Sequence, residues 1–284
     1  MRLHWLFLSC FLVFGFAQLF KHAQRRGYYA PVVVSVNYLA LGAALGVYVG
    51  VSDRLQLSPE VLKVGLTTGV VFICSTLIMA ISLHLVNVAA VLIAFRMSMI
   101  VPIFLAVWLW DEQITGYQVV GIVVALLGLS LLTRGSARTQ RTRGLQAMAI
   151  VVLVFGAEGM SQSCIRWVHH AGLDDRMMDV LFVVGLTAGT LGMGFVALQR
   201  YRPAPAELLM GAGIGLFNVV ALLVILVTLS DRSAAVYFPV VGCTVVILDG
   251  LFAHFFWKER LSSLAWLGAG LVVVAMVIVL AKGL

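Results

Sequence analysis

The sequence predicts an all-α polytopic membrane protein of about ten transmembrane helices, arranged as two inverted five-helix repeats. Hydrophobic residues make up 62% of the 284 residues and charged residues 11%, a balance that soluble domains do not show. A helix that crosses a bilayer needs about 20 mostly apolar residues, and the chain supplies roughly ten such segments. The apolar runs are continuous, whereas a transmembrane β-barrel would show short alternating segments.

The apolar segments follow one another along the whole chain, with short polar breaks between them. We predict spans over 3–22, 30–51, 61–83, 86–109, 115–132, 145–165, 177–199, 206–229, 233–257 and 262–281. The first run is longer than the apolar core of a signal peptide and lacks an obvious cleavage site, so we expect it to be retained as a span.

Five spans fall in each half of the chain, and the joint is rich in arginine. The predicted organisation is a first repeat over 1–133, a basic linker over 134–144 and a second repeat over 145–284. Because each repeat holds an odd number of spans, the second must enter the membrane in the opposite orientation. Inverted repeats of this kind are common among secondary transporters.

Matching segments in the two halves support a duplication. The triplet Ala89-Ala90-Val91 recurs 145 residues later at Ala234, and Leu12-Val13-Phe14-Gly15 recurs 141 residues later at Leu153. The segment from Leu109 to Gly121, which contains Trp110-Asp111-Glu112, returns as Trp257-Lys258-Glu259 and Gly268, with the glutamates and the glycines 147 residues apart. Several matches in the same order make a repeat the better interpretation than chance.

A ten-span chain with a Trp-x-Glu break before a glycine-led last helix in each half resembles the drug/metabolite transporter superfamily, and most closely its EamA-like family. The resemblance covers essentially the whole chain and implies an exporter or exchanger of amino acids, metabolites or drugs. It also implies a multi-pass protein of the plasma membrane, which in a bacterium is the inner membrane. Glu112 and Glu259 lie at helix ends, where we expect them to cap or orient the turn.

The orientation of the termini is left open by the sequence. The resemblance implies that both termini are cytoplasmic. The loops on the other side of the membrane carry more lysine and arginine, however, and the positive-inside rule would therefore place the termini outside.

Three full charges, Arg96, Glu158 and Asp249, fall well inside apolar runs. A charge at the centre of a transmembrane helix costs about 2.5–3.5 kcal/mol on insertion scales, so each needs a partner or a wet cavity. Arg96 and Asp249 lie on the fourth and ninth spans, which are repeat counterparts around a shared cavity. Both an Arg96–Asp249 and an Arg96–Glu158 ion pair fit the sequence, as does a purely structural ion pair without a role in transport.

Glu158 differs from the other two charges because polar residues accompany it. Ser161 and Gln162 follow at three and four residues, on the same helical face. Small multidrug transporters that are coupled to protons resemble this arrangement, with an acid in the first helix of each unit. We therefore consider Glu158 the candidate for proton coupling. The predicted substrate and cavity residues are Arg96, Glu158, Asp249, Gln18, Asn37, Tyr38, Asn218 and Gln162.

Transport is the leading of three predicted functions, ahead of a membrane-embedded enzyme and of a passive channel or membrane subunit. No H-E-x-x-H or G-x-S-x-G motif is present. Asp174, Asp175 and Asp179 form one acidic cluster. Prenyl-transferring enzymes use two such clusters to hold magnesium pyrophosphate, and the sequence has no second one. We expect no catalytic residue, cofactor or metal. The four cysteines are scattered singly, which suggests neither a zinc site nor a disulfide framework.

The expected partners are a small-molecule substrate and the lipid bilayer. The basic linker would meet anionic lipid rather than nucleic acid. The oligomeric state is left open, with a monomer among the alternatives.

Overall fold

The protein is described by a computed structural model that covers residues 3–51, 56–86, 88–133, 145–256 and 263–280. These residues form α-helices joined by short turns and contain no strand. The eleven helices are α1 (Leu3–Arg25), α2 (Ala30–Val51), α3 (Pro59–Leu85), α4 (Val88–Met97), α5 (Ile100–Trp110), α6 (Gly116–Thr133), α7 (Leu145–His170), α8 (Met177–Leu198), α9 (Pro205–Asp231), α10 (Ala234–Phe255) and α11 (Ser263–Leu280). A short 3-10 turn, Asp174–Arg176, precedes α8.

Eight helical segments are long and apolar enough to cross a membrane, and two shorter apolar segments, Gly116–Leu131 and Trp266–Val279, accompany them. Many large apolar side chains of these helices are exposed on the protein surface, as expected where lipid rather than water surrounds the protein. The prediction of an all-α, multi-pass membrane protein is therefore confirmed.

The fourth predicted span, 86–109, is one apolar segment in the sequence but two helices in the structure. α4 ends at Met97 and α5 begins at Ile100, so the helix is interrupted at Ser98 and Met99. Pro102 explains the interruption, since its ring has no N–H to donate to the carbonyl of Ser98 and clashes with it. That carbonyl instead accepts a hydrogen bond from the backbone N–H of Val101 at 2.9 Å.

Pro239, by contrast, lies inside a helix that is not interrupted. It is the sixth residue of α10, which continues through it to Phe255. Four of the five α10 residues before Pro239 belong to the first turn, whose backbone N–H groups have no acceptor within the helix. The proline therefore removes only one hydrogen bond, near the helix start.

The contacts divide the chain into two compact units, and each unit draws on both halves of the sequence. The first unit comprises Met1–Phe14, Ile81–Ser163 and Asp231–Leu284, and the second comprises Gly15–Ala80 and Cys164–Ser230. The boundaries of the sequence repeats, 1–133 and 145–284, stay predictions, and the linker 134–144 lies outside the described residues.

Within the second unit, α3 packs on α8 in the way that α9 packs on α2. In each case a glycine of one helix lies so close to the other that a Cβ atom would come 2.7 Å from a neighbouring Cβ. The contacting pairs are Gly65 with Val183, Gly69 with Thr187, Gly211 with Val36 and Gly215 with Ala40. The two glycines of α3 lie 146 residues before the two glycines of α9. The α2 residues that the α9 glycines contact lie 147 residues before the α8 residues that the α3 glycines contact.

Within the first unit, α6 and α11 pack against each other through small residues. A Cβ on Gly121 would lie 3.2 Å from the carbonyl oxygen of Ala275, and one on Gly128 would lie 2.9 Å from that of Gly268. An offset of 147 residues relates Gly121 to Gly268 and Gly128 to Ala275. The two contacts are therefore the same contact with the roles of the helices exchanged.

Candidate functional site

Arg96 and Asp249 form an ion pair between α4 and α10, with Nη2 of the arginine 2.8 Å from Oδ2 of the aspartate. Of the two ion pairs that the sequence left open for Arg96, this is the one that the structure contains. The two side chains keep 22% and 26% of their surface accessible. The pair is thus partly open to a molecule approaching from the space beside it.

The ion pair lies on an interior helix of the first unit. α10 has no exposed residue from Ala234 to Phe252. By contrast, α6 and α11 show outward faces with strongly exposed side chains, such as Val123 at 50% and Val277 at 62%. The ion pair therefore joins α4 to a helix whose side chains are largely enclosed by the rest of its unit.

The interruption between α4 and α5 contributes to the electrostatics of Arg96. The arginine lies in the last turn of α4, two residues before Ser98. The last carbonyl groups of a helix carry a partial negative charge, which stabilises a cation there. Arg96 is therefore stabilised by a helix end as well as by Asp249.

A second set of polar side chains joins α7 to the interrupted helix. Nε2 of Gln162 donates to Oε1 of Glu158 at 3.0 Å and to Oγ of Ser98 at 3.3 Å. The hydroxyl of Ser98 in turn donates to the carbonyl of Phe95 at 2.6 Å. Oε1 of Gln162 is buried without a hydrogen-bond partner among the described residues. The arrangement leaves this oxygen able to accept a hydrogen bond from a bound molecule.

Ser98 was not among the residues predicted from the sequence. It is fully buried and shares the interruption with Met99, four residues before Pro102. The position of the proline was the one signal that could have identified it, since the carbonyl at i−4 loses its helical partner. Ser9 was also missed, and its hydroxyl lies 2.9 Å from the buried hydroxyl of Tyr237. Tyr237 is 3% exposed, which identifies it as a packing residue.

The remaining predicted cavity residues, Gln18, Asn37, Tyr38 and Asn218, belong to the second unit. Asn37 is fully buried on α2, and neither side-chain polar atom has a hydrogen-bond partner among the described residues. Tyr38 is 8% exposed, with its ring centroid 6.1 Å from that of Phe72. Asn218 is buried on α9, and Gln18 is half-buried on α1. The first unit therefore contains Arg96, Glu158, Gln162 and Asp249 without these four residues.

Glu112, in the first Trp-x-Glu segment, caps a helix of the other half of the chain. Its Oε2 accepts a hydrogen bond from the backbone N–H of Ala234, the first residue of α10, at 2.9 Å. The N-cap residue Ser233 makes no side-chain cap of its own. Glu112 therefore supplies both the missing acceptor and a negative charge at the helix N-terminus. Glu259, expected to play the same role, lies outside the described residues.

The acidic residues near α8 are engaged with basic neighbours. Oδ2 of Asp174 lies 2.8 Å from Nδ1 of His169, and Oδ2 of Asp179 lies 3.8 Å from Nη1 of Arg176. Across the part of the chain that the structure describes, no three His, Cys, Asp or Glu side chains are grouped so as to hold a metal ion. The acidic trio thus occupies a turn and a helix start.

Comparison with known proteins places this arrangement in context. A protein of Haemophilus influenzae described as uncharacterized is 21% identical over 265 residues, which is 88% of each chain. The structure is similar to a solved crystal structure of another protein with a TM-score of 0.78 at 13% identity, over 98% of this chain and 96% of that one. At this level of identity the likeness shows a shared fold, which extends over nearly the whole chain.

The model of the EamA-like transporter family matches residues 2–134. This segment contains the Trp110-Asp111-Glu112 motif and Arg96. The members of that family are described as transporters. Over these residues the chain is similar to the EamA-like transporter family, which confirms the resemblance to the drug/metabolite transporter superfamily found in the sequence.

Proposed function

We propose that the protein is a secondary transporter that exports or exchanges small organic solutes, such as amino acids, metabolites or drugs, by alternating access. The observation that carries the proposal is the Arg96–Asp249 ion pair beside an interrupted helix. In secondary transporters, interrupted membrane helices expose backbone groups and helix ends that bind substrates and ions. The match of residues 2–134 to a transporter family supports the same conclusion.

We further infer that the chain contains ten spans in two inverted five-helix repeats. α4 and α5 together form one span, so the eleven described helices correspond to ten. The repeated glycine contacts support the duplication, because contacts between α3 and α8 recur between α9 and α2 at offsets of 146 and 147 residues. The exchanged contacts between α6 and α11 support a two-fold axis across the helices. A two-fold rotation places each helix on the other and so converts each of the two contacts into the other.

Arg96 is the proposed binding group for an anionic part of the solute. A guanidinium presents five N–H donors in a planar fork that matches a carboxylate. Among the described residues Arg96 uses one of them as a hydrogen-bond donor, toward Asp249. The others leave room for a carboxylate of the solute, and the 22% exposure of the side chain supports access to it.

Glu158 is the proposed site of proton coupling. The alternative was a firm ion pair with Arg96, which would keep Glu158 ionised; in the structure the carboxylate partner of Arg96 is Asp249. Glu158 instead accepts a hydrogen bond from Gln162, whose amide could bond either the ionised or the neutral carboxyl by turning over. A partly buried carboxyl that can hold or release a proton meets the requirement for coupling.

The proposed location is the plasma membrane, which is the inner membrane if the cell is bacterial. The eight long apolar segments support a multi-pass protein in a bilayer. The partner of the protein is then its small-molecule solute, with lipid around the helices.

A retention assay tests the proposed function. Cells with and without the protein are loaded with labelled amino acids or with cationic dyes, and the solute retained is measured over time. Faster loss of at least one solute in cells that contain the protein is the expected result. Equal retention of every solute by both kinds of cell, with the protein present in the membrane, would contradict the proposal.

A further inference from the structure

The turn between α1 and α2 and the turn between α8 and α9 meet around Glu207, at one end of the second unit. Oε1 of Glu207 accepts hydrogen bonds from the backbone N–H of Tyr29 at 2.8 Å and from the hydroxyl of Tyr201 at 2.9 Å. Its Oε2 accepts the backbone N–H of Ala204 at 2.9 Å. The rings of the two tyrosines also contact each other, with their centroids 4.4 Å apart. The two turns therefore form one continuous surface.

This surface is rich in positive charge. Residues 20–30 and 199–210 contain five lysines and arginines but a single acid, Glu207. Glu207 is 3% exposed, and the hydrogen bonds described above come from neutral donors. Arg26 and Arg202, by contrast, are exposed. The surface therefore has a net positive charge, and its arginines are accessible whereas its acid is enclosed.

The opposite end of the same unit has no such excess of positive charge. The described residues there, 56–63 and 166–179, contain three lysines and arginines and four acids. The difference matters because clusters of lysine and arginine directly beside membrane helices attract anionic lipid headgroups. Only the end that contains Arg26 and Arg202 meets this description within the described part of the second unit.

An apolar groove on the outward face of α8 leads to the same turn. The groove ends at Leu198, the last residue of α8, four residues before Arg202. Its one hydroxyl, on Thr190, donates to the carbonyl of Leu186 in the same helix at 2.7 Å. A Cβ atom on Gly194 would meet nothing within 4 Å, so the groove is open at its centre. The groove is lined by Thr190, Leu191, Gly194, Phe195, Ala197 and Leu198.

We propose that the two turns and the α8 groove bind an anionic phospholipid, with its phosphate at Arg26 and Arg202 and an acyl chain along the groove. Arginine binds phosphate oxygens through paired hydrogen bonds. Tyr201, which is 39% exposed beside Arg202, is a residue type that lies at the level of lipid headgroups. A soluble anion would leave the apolar groove unused, and a zwitterionic lipid would bring an ammonium group to a positive surface. A phospholipid with a net negative charge matches both parts of the site.

The test measures lipid binding to the purified full-length protein in detergent. Phosphatidylglycerol and phosphatidylcholine are titrated separately, and the bound lipid is measured by native mass spectrometry. The wild type should retain phosphatidylglycerol in preference to phosphatidylcholine. The double variant Arg26→Gln, Arg202→Gln should bind phosphatidylglycerol at least about tenfold more weakly, because two cations are lost from the headgroup site. Lys63→Gln, which removes an exposed charge at the opposite end, is the control and should bind as the wild type does.

Gly194→Leu tests the groove separately, because the new side chain fills the groove and leaves both arginines in place. It should weaken the binding of phosphatidylglycerol, whereas Gly213→Leu, on α9 with equally open surroundings, should not. Thermal unfolding in the same detergent shows that each variant is folded.

Three results would overturn the proposal. The first is equal binding of the two lipids by the wild type. The second is unchanged binding of phosphatidylglycerol in the double arginine variant or in Gly194→Leu. The third is displacement of the lipid by glycerol phosphate at the same concentration, since this result would identify a soluble anion as the ligand.

Discussion

Oε2 of Glu112 accepts the backbone N–H of Ala234 at 2.9 Å, so an acid at the end of α5 caps the start of α10. The two residues are 122 positions apart and belong to opposite halves of the sequence. The contact joins α5, which follows the helix that contains Arg96, to α10, which contains Asp249. A motif on which the resemblance to the family rests therefore has a structural role at a helix terminus.

Removal of this cap should destabilise the protein. We expect Glu112→Ala to reduce the free energy of unfolding by about 1 kcal/mol, because the first N–H of α10 loses its acceptor and the helix end loses a negative charge. Glu112→Gln, which keeps an acceptor oxygen, should have a smaller effect. The measurement is thermal unfolding of the purified protein in detergent.

Glu60 offers a matched control for the cap. It lies exposed in the first turn of α3, and Glu60→Ala should change stability by less than about 0.5 kcal/mol. Equal stability losses in Glu60→Ala and Glu112→Ala would show that the hydrogen bond to Ala234 contributes nothing of its own.

Arg96 should be required for solutes that carry a carboxylate. Arg96→Ala is expected to abolish their transport while the protein still reaches the membrane, because no other guanidinium is placed at this site among the described residues. The measurement is flux of labelled carboxylates, with the amount of protein in the membrane determined in parallel. Arg200→Ala, in an exposed turn, is the control and should transport normally. Wild-type transport by Arg96→Ala would eliminate the arginine as a binding group.

Glu158 should determine the response to a proton gradient. Glu158→Gln preserves the shape of the side chain and its contact with Gln162 but removes the titration, so uphill efflux driven by protons should be lost. Exchange at equal concentrations should continue, since it needs no energy input. The experiment compares both fluxes in vesicles with and without an imposed pH difference. Unchanged uphill transport in this variant would leave Glu158 with a structural role only.

The glycine contacts between helices should be sensitive to one added methyl group. A Cβ at Gly211 would lie 2.7 Å from Cβ of Val36, whereas one at Gly213 would meet nothing within 4 Å. We expect Gly211→Ala to cost about 1–3 kcal/mol through overpacking and Gly213→Ala to be neutral or stabilising. Gly65→Ala should behave like Gly211→Ala, because Gly65 makes the equivalent contact with Val183. Thermal unfolding of the three variants compares them directly, and equal stabilities would refute the close packing.

The sequence predicted the membrane spans well because their signal is composition over about 20 residues, which does not depend on neighbours. The interruption at Ser98 was harder to predict, since Pro102 and Pro239 look alike in the sequence. Their effects differ because Pro239 lies near a helix start, where few hydrogen bonds can be lost.

The partner of Arg96 could not be chosen from the sequence either. Periodicity indicates which residues share a helical face but not how that face is turned toward other helices. Both Glu158 and Asp249 were therefore candidates, and the packing of α4 and α10 decided between them. Ser98 and Ser9 were missed for the same reason, because an isolated serine in an apolar run gives no sign of its partner.

The ion pair also has a consequence for the synthesis of the protein. Arg96 precedes Asp249 by 153 residues, and at typical rates of translation roughly 8 to 30 s separate their appearance at the ribosome. α4 and α5 have 10 and 11 residues, about 15 Å each, and neither alone crosses a hydrocarbon core of about 30 Å. The segment must therefore enter the bilayer as one unit, and its arginine has to wait for its counter-ion until α10 has been made.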